Sequence, residues 1–246
     1  MKTHLKTIAL ILLVLPLIGA TIKLFSMEYF KTYEMIFSIM RDVTENRASH
    51  LNAEQAIEQL DLNQHKHDAF TFRFINLSDV SMNQITQFSL KASPVLLSNE
   101  IARDKEVKEM ESTILAHLNN VDQDSLGRSH SSIYLPIAKE LTLLGSSGSD
   151  RKVLVVYSDL MENTDQLSFY NEQSTAMLQS NPKGIKSIFK SIQPLPDLKG
   201  VQVYFIYQPS SQNADVLYKR ISTIYKDLLT EKGARVYIQP NFIKVK

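Results

Sequence analysis

Two aspartates in this chain each stand just past an apolar, strand-like run. Asp79 follows Phe70–Leu77, and Asp159 closes Val153–Tyr157 after Ser158. In a parallel α/β sheet the carboxyl ends of the strands open into one crevice, and ligands bind there. Two acids delivered to such a crevice, with the hydroxyls of Ser81 and Ser158 beside them, form an oxygen-only donor set. That chemistry suits a divalent cation.

Other chemistry-bearing groups point less far. His65 and His67 flank Lys66 in a polar connector, without a third ligand at a telling spacing. His130 lies beside Ser131 and Ser132, but no Gly-x-Ser-x-Gly elbow accompanies them. Gly145–Ser149 lacks the lysine of a phosphate-binding loop and serves as a linker. The net charge of +1 and the absence of a basic run with interleaved aromatics give no case for a nucleic-acid partner. With no cysteine, the chain has no disulfide, thiolate zinc site or cysteine nucleophile.

The elements that must position the acids follow from periodicity. Phe70–Leu77 alternates large apolar residues with Thr71, Arg73 and Asn76, as a strand does, and Ile85–Leu90 also alternates. A helix starts at Asn99, a suitable N-cap, with Val107, Met110, Ile114 and Leu118 on one face. Asn119–Ser131 is a polar loop. The next helix carries Ile133, Ile137, Leu141 and Leu144 and stops at Gly145; Pro136 must lie in its first turn. Val153–Tyr157 and Val201–Tyr207 are apolar on both faces, as central parallel strands are. Thr164–Pro196 holds one or two helices. Asn213 caps a helix with Leu217, Ile221, Ile224 and Leu228 on one side, and Arg235–Ile238 and Phe242–Val245 close as strands. This alternation predicts an α/β fold, a mainly parallel doubly wound sheet with helices on both faces.

Upstream, Phe30, Tyr33, Phe37 and Met40 recur at helical spacing, and Leu51–Leu60 forms a short helix. The N-terminus has Lys2 and Lys6 before an uncharged run from Thr7 to Ile22. As a helix that run spans roughly 24 Å, short of a bilayer core of about 30 Å. With Ala20 near its end it is a signal peptide or a retained signal anchor, so the remaining chain is exported, periplasmic or membrane-anchored. The expected organisation is residues 1–23 as signal or anchor, 24–66 as a helical extension and 67–246 as the α/β domain.

The order of the motifs resembles the von Willebrand factor A family, the integrin I-like fold, over roughly Ala69–Val245. That family builds a metal-ion-dependent adhesion site from three loops: Asp-x-Ser-x-Ser, a Thr before a helix, and an Asp after a central strand. By resemblance Asp79 and Ser81 match the first loop, with Asn83 in place of its last Ser; Ser131 or Ser132 stands for the Thr, and Asp159 matches the third. The implied ligand is Mg2+, or Mn2+ or Ca2+, bridging to a carboxylate on a partner protein. The same acids would serve a metal-dependent hydrolase or phosphatase, and the fold alone a metal-free scaffold. One departure stands out. The family places a β-hairpin between its first helix and the Thr loop, whereas the helix ending near Asn120 runs almost directly into Ser131. Either the sheet is rearranged or the register is shifted.

Overall fold

The computed structural model describes residues 31–43, 51–77, 83–95, 98–121 and 131–243. They form a six-stranded sheet with six helices: β1 (Glu34–Asp42), α1 (Ala53–Leu60), β2 (Ala69–Leu77), β3 (Ile85–Leu90), α2 (Glu100–Val121), α3 (Tyr134–Ser146), β4 (Arg151–Tyr157), α4 (Glu172–Ser180), α5 (Pro182–Ile192), β5 (Val201–Ile206), α6 (Gln212–Thr230) and β6 (Arg235–Gln239). The strand order is β3-β2-β1-β4-β5-β6. Only β3, at one edge, is antiparallel to its neighbour. The mainly parallel, doubly wound architecture expected of the chain is present.

β1 corrects one expectation. Of the stripe Phe30, Tyr33, Phe37 and Met40, the last two lie in a strand, not a helix; Tyr33 just precedes it, and Phe30 lies outside the described residues. Phe37, Ile39 and Met40 are fully buried because β1 lies at the centre of the sheet, between β2 and β4. Residues 34–42 and α1 are therefore part of the same α/β body, and no boundary near residue 67 separates a helical extension from it. Residues 1–30, which include the expected signal or anchor, lie outside the described residues. Among the described residues no helix is long and apolar enough to cross a membrane.

Alternate residues of β1 face two cores. Met35, Phe37 and Ile39 pack with α1 and α2, where Phe37 stacks on Phe72 and Phe72 on Phe88 across β1, β2 and β3. Ile36 and Met40 pack on the other face with α3, α5 and α6. On that face Ser38 donates to Glu140 of α3 at 2.7 Å. Arg73 of β2 holds the same carboxylate through Nε at 2.7 Å and its second guanidinium nitrogen at 3.0 Å. This buried trio ties α3 to β1 and β2.

The remaining elements follow their local signals. Asn99 accepts from the amides of Ile101 and Ala102, and Pro136 sits in the first turn of α3. Ser211, rather than Asn213, caps α6 by accepting from Ala214. Gly233 turns the chain into β6 at φ +93. Phe242 and Ile243 are not in a strand; Phe242 is buried edge-on against Phe37 and Tyr204.

Candidate functional site

The chain winds outward in one direction from β1 to β2 and in the other from β4 to β6, so the strand order reverses between β1 and β4. Ligands of open α/β sheets bind outside the carboxyl ends of the strands at such a reversal. The β1–β4 register pairs Arg41 with Tyr157, which makes Asp42 and Ser158 the next neighbours. Ser158 Oγ donates to Asp42 Oδ2 at 2.9 Å. Asp42 is 2% exposed and Ser158 is fully buried.

The loop after β4 turns tightly on this pair. The Leu160 amide donates back to Ser158 Oγ at 2.9 Å, and the Met161 amide donates to Asp159 Oδ1 at 2.9 Å. Leu160 adopts φ +63 with its side chain buried in the core. A left-handed conformation at a non-glycine residue costs roughly 1–2 kcal/mol, so the contacts around it must hold the bend in place.

Glu162 completes the loop. It is 1% exposed, and its Oε2 accepts from the amides of Ile133 at 3.0 Å and Tyr134 at 2.8 Å. It thus caps α3 from outside that helix, a role Ser132 does not take. Burial pushes its carboxyl up to about 7, against the opposing pull of the two amides and the Ser132 hydroxyl; the nearby Asp42 charge raises it further. The Ser131 and Asn163 backbones exchange hydrogen bonds at 3.2 and 2.8 Å. Ser131 and Ser132, both buried, are therefore fastened to the loop that carries Asp159 and Glu162.

Among the residues expected to form the site, Asp159 opens the loop after β4, and Ser131 and Ser132 are tied to that same loop through Asn163 and Glu162. Asn83 sits on the β2–β3 hairpin, two strands from β4, about 10 Å at ordinary strand spacing. Asp79 and Ser81 lie outside the described residues, as does His130. The acid beside Ser158 is Asp42, which the sequence reasoning passed over. Its signal was present: Asp42 ends an apolar run and opens Asp42-Val43-Thr44. Glu162 had no sequence signal that set it apart from other loop acids.

The donor set is all oxygen: the carboxylates of Asp42 and Asp159 and the hydroxyls of Ser131 and Ser132. Among the described residues no three His, Cys, Asp or Glu side chains gather as a metal-ligand group. A cation here would rest on two carboxylates and hydroxyls, a set that fits Mg2+, which keeps several of its waters.

No family model matches the chain, and no curated protein matches it. Among solved structures it is similar to the conserved hypothetical protein BatB from Bacteroides thetaiotaomicron, at 10% identity, covering 83% of this chain and 89% of that one, with a TM-score of 0.35.

Proposed function

We propose that the protein is an exported, von Willebrand A-like protein-binding module whose β1–β4 edge takes a divalent cation. The observation that carries this reading is the Ser158–Asp42 hydrogen bond at the strand-order reversal, with Ser131 tied through Asn163 to the loop that begins at Asp159. With β1 as the first strand, the departure noted in the sequence disappears. A first helix, α1, is followed by the hairpin β2–β3, then α2, and then Ser131. The position of the first motif falls on Asp42-Val43-Thr44-Glu45-Asn46, an Asp-x-Thr-x-Asn in which Thr44 keeps a hydroxyl; Thr44 and Asn46 lie outside the described residues. Asp42, Asp159, Ser131 and Ser132 would hold the ion. A bound cation supplies an open coordination position for an acidic side chain of a partner protein. The basic flank of Lys2 and Lys6 and the uncharged run to Ile22 support export, with this domain on the outer side.

Thermal unfolding in Mg2+ and Mn2+ tests the reading. A ligand at about a hundred times its Kd stabilises the folded state by roughly 2.7 kcal/mol. The wild type should shift upward with millimolar metal, and Asp159→Asn and Asp42→Asn should lose the shift while Asp79→Asn retains it. No shift in the wild type, or a full shift in Asp159→Asn, refutes the cation. Loss in Asp79→Asn with retention in Asp42→Asn would return the first acid's place to Asp79.

A further inference from the structure

Beside the acidic edge lies a cavity of about 420 Å³, bounded by the start of α3, the 162–166 loop and the end of α5. Its size falls within the range of small-ligand pockets, roughly 300–1,000 Å³. Its ionisable lining is acidic only: Asp165 and the buried Glu162, whose carboxyl burial raises, line it, and no Lys or Arg does. Glu162 is committed to capping α3, but Asp165 stands exposed and its carboxylate forms no hydrogen bond or ion pair with any described residue. The Gln166 amide beside it is also unused within the described residues. α5 ends at Ile192, so the negative end of its dipole borders the same space. Leu135 and Ile192 add aliphatic wall, the surface along which the stem of a long cationic side chain packs.

We propose that this cavity receives a guanidinium group, the side chain of an arginine on a polypeptide partner. A guanidinium presents five donors in a planar fork, which suits a free carboxylate, a free amide oxygen and helix-end carbonyls better than the single point of an ammonium does. The assignment to a polypeptide rests on the protein-binding reading above; the preference for a cation rests on the cavity alone.

The test is amide NMR of the 15N-labelled full chain, titrated with N-acetyl-arginine amide, N-acetyl-norleucine amide and agmatine. The blocked arginine should give saturable shifts at Thr164–Gln166 and Ile192, and the norleucine compound should not. Asp165→Asn should weaken binding about tenfold, the loss of one hydrogen bond to a charged group. Gln166→Lys should abolish it by placing a cation at the mouth. Binding should persist in EDTA, so failure of the metal site and failure of this cavity give different results. Equal response to norleucine amide, no saturation by about 50 mM, or wild-type binding in both variants overturns the proposal. Tighter binding of agmatine than of blocked arginine assigns the cavity to a free small cation and overturns the polypeptide source.

Discussion

Glu162→Gln offers a direct measurement of the buried acid at the edge. In the folded protein the carboxyl titrates near 7, against 4.5 for an ordinary glutamate, because burial disfavours its charge more than the Ile133 and Tyr134 amides favour it. At about 1.4 kcal/mol per pH unit, the difference amounts to ~3 kcal/mol. The direction follows from the raised value. Between pH 4.5 and 7 the folded state holds a proton that the unfolded chain has released, so stability falls as pH rises through that window. Below 4.5 the contribution is fully present, and above 7 it is gone. Glutamine has no proton to lose, and its amide oxygen can still accept from both backbone donors. Urea unfolding at steps from pH 4 to 8 should show the variant gaining on the wild type by up to ~3 kcal/mol as pH rises. For a chain of this length, about 2–4 °C in Tm accompanies each kcal/mol, so heating gives the same answer. Glu162→Ala loses the same proton and the cap as well, so against the wild type its profile should rise with pH as that of Glu162→Gln does, but lie about 1 kcal/mol or more below it throughout. Parallel wild-type and Glu162→Gln profiles across the window would refute the argument, since the carboxyl would then titrate alike folded and unfolded.

Two further substitutions probe the supports of the edge. Arg73→Ala leaves the Glu140 carboxylate buried with only Ser38 to hold it, and should cost about 3–5 kcal/mol in denaturant unfolding; Arg73→Met with Glu140→Leu should recover most of that loss. Leu160→Gly relieves the left-handed bend by roughly 1 kcal/mol. It also empties a fully buried leucine site at a cost of about 2–5 kcal/mol, so the expected result is net destabilisation.

The strands at the right of the sheet were legible because Val153–Tyr157 and Val201–Ile206 are rich in β-branched and aromatic residues and apolar on both faces. β1 was not. Tyr33, Phe37 and Met40 stand at spacings that a helix face would also fill, and a short apolar run cannot be told from a buried helix by periodicity alone. That one misreading moved the first strand of the domain to β2. On the function proposed above it also bears on the first acid, which the sequence reading placed at Asp79, outside the described residues. On that same proposal, the hairpin that the resemblance leads one to expect between the first helix and Ser131 is β2–β3. The positions of Asp159, Ser131 and Ser132 at element ends were legible because the strand before the first and the helix after the other two were plain. Glu162 was hidden because its role depends on a contact with α3 across 28 and 29 residues of chain.

The five residues from Ser158 to Glu162 bind the two halves of the edge into one unit. Ser158 fastens Asp42, the amides of Leu160 and Met161 return to Ser158 and Asp159, and Glu162 reaches α3 just past Ser131 and Ser132. Four peptide bonds thus separate the residue that fastens Asp42 from the residue that caps α3. The Asn163–Ser131 bridge gives a second, parallel path through backbone alone. Because α3 is also held by the Arg73–Glu140–Ser38 trio at its middle, both its start and its centre are tied to the elements that carry the acids.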